Sequence, residues 1–299
     1  MTVRLPVASL APVTSPVASL APVTSPVASL APVTSPVAPR PILRAGPTTV
    51  ELTDDPHDVA EIQRLRYRVF ADEPGFADTI GDADTHLDAD RFDEFCEHLV
   101  VRHVDDGIIG CARLLPPARA VAAGGWYTST EFEVAELDGI RSATVEMGRA
   151  VVASAHRQGS TTALMWAALL QYLDEADCRY LVGCVSVPID GPGPRGATLR
   201  GVRDELRDHH QAPWQVYPHA RAMVDGRVLD DIEPPDKAPM PGLLRGYLRM
   251  GARVCGEPAV DDVFDVGDFV TVLDRERGNR RYLERLQAAV TRLAVDGHR

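Results

Sequence analysis

The chain has 299 residues, 45% of them hydrophobic and 25% charged, with a formal net charge of −12. That is ordinary globular composition with room for one large domain or two small ones, and the acidic balance excludes a general nucleic-acid binder. Five cysteines (Cys96, Cys111, Cys178, Cys184, Cys255) without a C-x-x-C pair predict reduced, mostly buried thiols in a cytoplasmic protein. Nine histidines without H-E-x-x-H or similar spacing predict no metal site.

Residues 6–35 are three identical copies of PVASLAPVTS, followed by PVAP. Proline recurs too often for a membrane-spanning helix, and no proline-free apolar core follows Arg4, as a signal peptide needs. The repeat is also too short for a solenoid unit. Residues 1–45 are therefore expected to form a disordered, partly polyproline-II tail.

Globular texture follows. TTVEL (48–52) alternates like a strand, and Val59, Ile62, Leu65, Val69 and Phe70 recur at helical spacing over 57–71. Residues 73–95 read as an acidic loop. HLVVRHV (98–104) and IIGCARLL (108–115) are two strands, and Asp105-Asp106-Gly107 is a hairpin turn between them. A strand over 144–153, a helix over 160–175, a strand over 180–187 and a helix over 197–209 complete an α/β order with a mixed sheet flanked by helices. The expected division is a core over 46–220 and a C-terminal extension over 221–299 packed on it.

Within TVEMGRAVVA, Glu146 and Arg149 stand three residues apart and would point to opposite faces of an unbroken strand. A bulge at Gly148 would bring them to one side and aim a backbone N–H into a cleft. The alternative is a structural ion pair, which desolvation makes an uneconomical stabiliser. Downstream, HRQGST (156–161) opens a helix whose N-cap candidates are Ser160 to Thr162. Free helix N–H groups, a glycine and Arg157 together make an anion site, although a plain strand–turn–helix connection would look the same.

Strand, bulge, turn and helix in this order resemble the core of the GNAT N-acyltransferases. R-Y-R-V-F (66–70), A-D-R-F-D (89–93), G-C-A-R-L-L-P (110–116) and V-E-M-G-R (145–149) follow one another in the order shared by acyl-homoserine-lactone synthases and ornithine N-acyltransferases. Three further segments resemble the ornithine branch: G-G-W-Y-T-S-T-E-F (124–132), G-L-L-R-G-Y-L-R-M-G-A (242–252) and D-V-F-D-V-G-D-F (262–269). The turn departs from the usual glycine-rich family turn, and the tail lies outside the resemblance.

The resemblance implies transfer of a (3-hydroxy) fatty acyl group from acyl carrier protein, or from acyl-CoA, to the α-amine of L-ornithine. It implies no permanently bound cofactor. Glu146 is the expected base, and Arg149 would orient it or another carboxylate. Arg157 and the backbone N–H groups of Gly159, Ser160 and Thr161 would hold the phosphopantetheine phosphate. Arg66 and Phe70, one helical turn apart, line the acceptor cleft or else are a solvated charge and a core ring. Asp90 and Asp93 would receive ornithine's side-chain ammonium or pair with Arg66, or belong to a plain acidic loop. Arg113 could bind the acceptor carboxylate. Trp126 and Tyr127 would wall the acyl tunnel or serve the core. Cys111 has no assignable histidine partner, and direct attack by the amine needs no acyl-enzyme.

An acidic carrier protein docking on an acidic chain needs a basic island. Arg245, Arg249 and Arg253 fall at four-residue spacing, one helical stripe that suits a carrier protein, anionic lipid at the inner membrane face, or solvent. Arg195, Arg200, Arg203 and Arg207 form a second set. The competing readings are the same chemistry on another amine, as in long-chain N-acyl amino acid or homoserine-lactone-type synthases, and a catalytically inactive GNAT scaffold.

Overall fold

A computed structural model describes residues 39–71, 81–157, 160–262 and 264–296. The expected tail lies largely outside the described residues, but its last part does not. Arg40–Ala45 form strand β1, paired antiparallel with β2 (Thr48–Thr53). The tail boundary is therefore corrected: Ala45 is buried in the core, and Arg40 pairs with Glu175.

The chain continues through α1 (Pro56–Ala71), β3 (Glu97–His103) and β4 (Gly107–Leu115). Gly107 takes φ +68° where the β3–β4 hairpin closes, as the turn sequence requires. Next come α2 (Pro117–Ala122), β5 (Phe132–Glu133), β6 (Thr144–Val152), α3 (Thr161–Glu175), β7 (Tyr180–Pro188), α4 (Ala197–His209) and β8 (Gln211–Pro218). The last third adds β9 (Met223–Val224), β10 (Arg227–Val228), α5 (Gly242–Met250), β11 (Arg253–Gly256), β12 (Ala259–Asp261), β13 (Val266–Asp274) and α6 (Arg280–Asp296).

Among the described residues one eleven-stranded mixed sheet runs in the order β1-β2-β3-β4-β6-β7-β13-β11-β8-β5, with β12 beside β13. Late sequence supplies its middle, because β13 pairs with all of β7. Helices α3 to α6 cover one face, where Leu164, Leu173, Val202, Leu206, Leu244 and Met250 pack on strand residues such as Leu114 and Val185. Helix α1 covers the other face through Ile62, Leu65 and Val69 on Val100, Cys111 and Val151. Trp126, Phe132 and Leu137 continue that layer. No helix of the described residues is long and apolar enough to cross a membrane.

Two features of β6 shape everything downstream. Its parallel ladder with β7 stops at Glu146–Val182, so the strands part beyond that point. On its other edge the register with β4 slips: Gly148 faces Arg113 but Val151 faces Cys111, so Arg149 and Ala150 together oppose Ala112. This is a bulge of one residue. The left-handed position is Arg149 (φ +51°), not Gly148, which corrects the expected site of the bulge by one residue. A left-handed non-glycine costs about 1–2 kcal/mol, so its surroundings must hold it.

The last close approach of β6 and β7 sets Gly183 against the Met147 carbonyl, where a Cβ would lie 2.4 Å from the oxygen. Gly183→Ala is expected to lower stability by about 1–3 kcal/mol, because neither strand can yield without disturbing the split. Urea denaturation at pH 7 measures this directly; an unchanged midpoint would show that the junction is slack.

Candidate active site

The bulge reverses the side-chain alternation of β6. Glu146 lines a cavity of about 320 Å³ with Phe92, Arg113, Tyr127, Thr128 and Cys184, and Arg149 reaches the same side, its guanidinium 5.1 Å from the Tyr127 ring centre. The two charges thus face one cleft, yet they do not pair with each other.

Glu146 is held by backbone. Residues Tyr127–Thr130 form a 3-10 turn whose first N–H groups point at the carboxylate. Tyr127 N–H donates to Oε2 at 2.7 Å, and Thr128 donates to Oε1 through its N–H at 2.7 Å and its hydroxyl at 2.6 Å. A carboxylate offers about four acceptor positions, so about one is left for a group in the cavity. Burial raises the Glu146 carboxyl above its ordinary range, and the Thr128 and Tyr127 hydrogen bonds oppose that shift. A carboxylate so placed is ready to take a proton rather than to stay permanently ionised.

Arg149 belongs to a different assembly. Its Nε lies 3.2 Å from Asp88 Oδ2 and its Nη2 3.6 Å from Asp90 Oδ2. Arg66, 1% exposed, grips Asp93 with Nη1 and Nη2 at 2.9 and 2.8 Å and meets Asp88 through Nε at 2.8 Å. Arg113 reaches Asp90 Oδ1 at 2.6 Å and Asp93 Oδ1 at 3.3 Å. Three arginines and three aspartates thus interlock behind the cleft with their charges balanced. Burial alone would raise Asp93, but Arg66 and Arg113 overcome it and hold its carboxyl well below the usual carboxylate range.

Of the roles left open for these residues, the structure displays pairing. Arg66 is buried rather than solvated, and Asp93 is its partner. Asp90 and Arg113 are engaged with each other. Phe70 meets Phe264 edge-on at 6.0 Å, and Phe264 in turn lies under Arg149. Trp126 is 1% exposed in the core with the Arg141 guanidinium over its ring, whereas Tyr127 lines the cavity. Cys111 is fully buried, and burial pushes its thiol up to about 12, against any nucleophilic use.

On the donor side, helix α3 begins at Thr161, and its N-cap Ser160 makes no side-chain capping bond, contrary to a capping role for its hydroxyl. Arg157 is exposed, its Nε donating to the Val152 carbonyl at 3.0 Å. Gly159 lies outside the described residues. Across the sheet, a second cavity of about 310 Å³ is lined by Trp166, Leu181, Tyr247, Met250 and Leu273. Met147 and Cys184, on either side of the β6–β7 split, line both cavities.

The basic sets fare differently. Arg245 and Arg249 are exposed on α5, but Gly251 (φ +100°) ends the helix, so Arg253 lies in β11 and not on the same helical stripe. The second set is neutralised. Arg195 pairs with Asp190 and Asp265, Arg200 and Arg207 with Asp204, and Arg203 with Asp230 and Glu257.

Several members of the site were not singled out in the sequence. Thr128 sits in the quoted G-G-W-Y-T-S-T-E-F segment, which carried a signal without a role. Asp88 had no mark beyond its acidic loop, and Cys184 none beyond its strand.

Breaking the balanced network leaves a buried charge unpaired. Asp93→Asn is expected to cost about 3 kcal/mol at pH 7. Because the folded-state affinity of Asp93 for a proton is depressed, its contribution is present above about pH 4 and is lost as pH falls below that. The gap in denaturation midpoint between wild type and variant should therefore be smaller at pH 3 than at pH 7, without closing; a constant gap would remove Asp93 from the acid limb.

Residues 65–167 match the family model of the acetyltransferase (GNAT) domain. The L-ornithine N(alpha)-acyltransferase of Rhodobacter capsulatus is 30% identical over 246 residues, 79% of this chain and 93% of that protein. The enzyme of the same name from Brucella abortus is 28% identical over 260 residues, 83% and 92% of the two chains. A solved CoA-dependent acyl-homoserine lactone synthase, BjaI, with SAM and isopentyl-CoA, superposes with a TM-score of 0.47 at 15% identity, covering 79% of this chain and 83% of that one. On the length and identity of the first of these matches, together with the split mixed sheet, this chain belongs to the L-ornithine N(alpha)-acyltransferase family of GNAT acyltransferases.

Proposed function

We propose that the protein transfers a long-chain, 3-hydroxylated acyl group from the phosphopantetheine thioester of acyl carrier protein to the α-amine of L-ornithine. The relatives' shared name supports the acceptor. The observation that carries the chemistry is Glu146: a buried carboxylate with about one free acceptor position, at the point where β6 and β7 part and two cavities meet.

The α-amine arrives largely protonated at neutral pH. Glu146 takes that proton, directly or through one water, and the free amine attacks the thioester carbon. As the C–N bond forms, negative charge builds on the carbonyl oxygen. A β6 backbone N–H beyond the end of the β7 ladder, near Gly148, is the proposed donor to it. The C–S bond then breaks: Glu146 returns its proton to the departing thiolate and takes up the second proton, which the nitrogen sheds as the amide forms and which then passes to water. No acyl-enzyme is involved. Cys184 lines both cavities, but burial and the neighbouring carboxylates raise its thiol well above the ordinary range, so the thiolate is scarce.

Arg149 acts on Asp88, Asp90 and the Tyr127 ring, and so positions the turn that holds Glu146. Arg113 and Arg66 anchor the loop that carries Asp88, Asp90 and Asp93. The apolar cavity beneath α3 and α5 has the lining an acyl chain needs. The first turn of α3, with Arg157 and Gly159 before it, is the proposed seat of the arm's phosphate. Arg245 and Arg249 on α5, with Arg253 at the start of β11, are the proposed dock for the carrier protein, and the same surface suits anionic lipid at the inner membrane face.

Purified full-length protein given 3-hydroxyacyl-carrier protein and a panel of amino acids should form N-acylornithine, identified by mass. Turnover on another amine in preference to ornithine would replace the acceptor. Glu146→Gln is expected to reduce kcat by about 10²-fold or more; an unchanged rate would reject Glu146 as the base. Exchanging Arg245 and Arg249 for glutamate should raise KM for the carrier protein about ten-fold and leave kcat near its original value. Equal kinetics would reject α5 as the dock.

A further inference from the structure

Glu131 and Asp268 lie in two of the segments that resemble the ornithine branch, and neither has a place in the mechanism above. Glu131 ends the turn that holds Glu146, and its backbone carbonyl is fixed by the His219 N–H at 2.9 Å. Asp268 stands on β13 opposite Ser186 of β7, whose hydroxyl donates to Oδ1 at 2.6 Å. Asp261, at the end of β12, joins them while accepting the Phe264 N–H at 3.1 Å. One carboxylate oxygen from each of the three residues lies within 4.8 Å of the others.

What Glu131 and Asp268 lack among the described residues, and the six-residue network beside them has, is a paired cation. Among the described residues neither Glu131 nor Asp268 makes an ion pair, although Asp268 is only 6% exposed. Glu131 Oε2 is buried and accepts no hydrogen bond. The Arg149 guanidinium, whose charge acts on both, is committed to Asp88 and Asp90. Burial first, and then Asp268 and Asp261, raise the Glu131 carboxyl to about 7, and burial raises that of Asp268 to about 6. Carboxylates left in this state are short of one positive charge.

The cluster also lies close enough to the reaction centre to act on it electrostatically. The Cys184 thiol, which lines the Glu146 cavity, is raised by burial and then by Asp268, Glu131 and Glu146 together. An alkylammonium has three N–H donors at tetrahedral angles. With charge-assisted bonds of about 2.8 Å it needs three acceptors roughly 4.6 Å apart, which the 4.8 Å limit accommodates.

From this geometry we infer that Glu131 and Asp268, with Asp261 beside them, bind the side-chain ammonium of the acceptor and so select a dicationic amino acid. The inference rests on the acceptor reading above and makes these two residues determinants of specificity, distinct from Glu146. Asp90 and Asp93, already paired with arginines, are not needed for that role.

Calorimetry on the full-length protein, with and without CoA, compares L-ornithine with L-norvaline, the same carbon skeleton without the δ-amine. Ornithine should bind about thirty-fold more tightly, the order expected for charge-assisted hydrogen bonds. Glu131→Gln and Asp268→Asn should each remove most of that preference while leaving norvaline unaffected, and should not lower Tm, since each relieves repulsion. Three results would overturn the inference: equal affinity for the two ligands, no ornithine binding under either condition, or full preference in both variants. Binding of Mg²⁺ or Ca²⁺ that the variants abolish, with ornithine preference intact, would assign the cluster to a metal and overturn it too. The acylation assay is read separately: cation-selective binding without acyl transfer to ornithine would sink the proposed reaction and keep this site, whereas ornithine acylation without charge selection does the reverse.

Discussion

The structure turns on the left-handed backbone of Arg149. A single extra residue in β6 reverses the alternation of its side chains, so that Glu146 and Arg149 reach one cleft although an ordinary strand would separate them. That conformation is unfavourable by itself. It is held because the Arg149 side chain is committed to Asp88 and Asp90 and lies over Tyr127. Backbone strain, ion pairing and site geometry are therefore one arrangement viewed at three scales.

The charges near the cleft are organised in two contrasting ways. Arg66, Arg113 and Arg149 neutralise Asp88, Asp90 and Asp93, and such a balanced buried set rigidifies the loop that it ties down. Its contribution is positional, since desolvation offsets much of the attraction within buried pairs. Glu146 instead has neutral donors only, from the Tyr127–Thr128 turn, and retains one open position toward the cavity. A group fixed by dipoles rather than by a neighbouring cation can change protonation state without breaking an ion pair. That distinction between the network and the lone carboxylate is what the proposed role of Glu146 in moving a proton rests on.

Much of the site was legible in the chain. Glu146 and Arg149 announced themselves because two charges in an apolar run demand an explanation, and Arg113 stood out in β4 for the same reason. Arg66 and Phe70 were visible at helical spacing. Their partners were harder to find. Asp88, Asp90 and Asp93 sit in a loop where acidic residues are common, so composition cannot distinguish a buried ligand of arginine from a solvated surface. Glu131 and Asp268 are separated by more than a hundred residues and meet only in the tertiary structure. The expected helical stripe failed at Arg253, because Gly251 adopts φ +100° and ends α5 before it.

By itself the sequence determined the elements and their periodicities, the order of the early strands and helices, and the family to which the motif order belongs. These are local properties, set by side-chain alternation, turn residues and propensity over short windows. Tertiary structure decided where β6 leaves β7, which residue takes the bulge, and which carboxylates find an arginine and which do not. Those outcomes depend on contacts between distant segments, above all on a late strand entering the middle of the sheet, and charge pairing inside a protein is settled by proximity in space rather than along the chain.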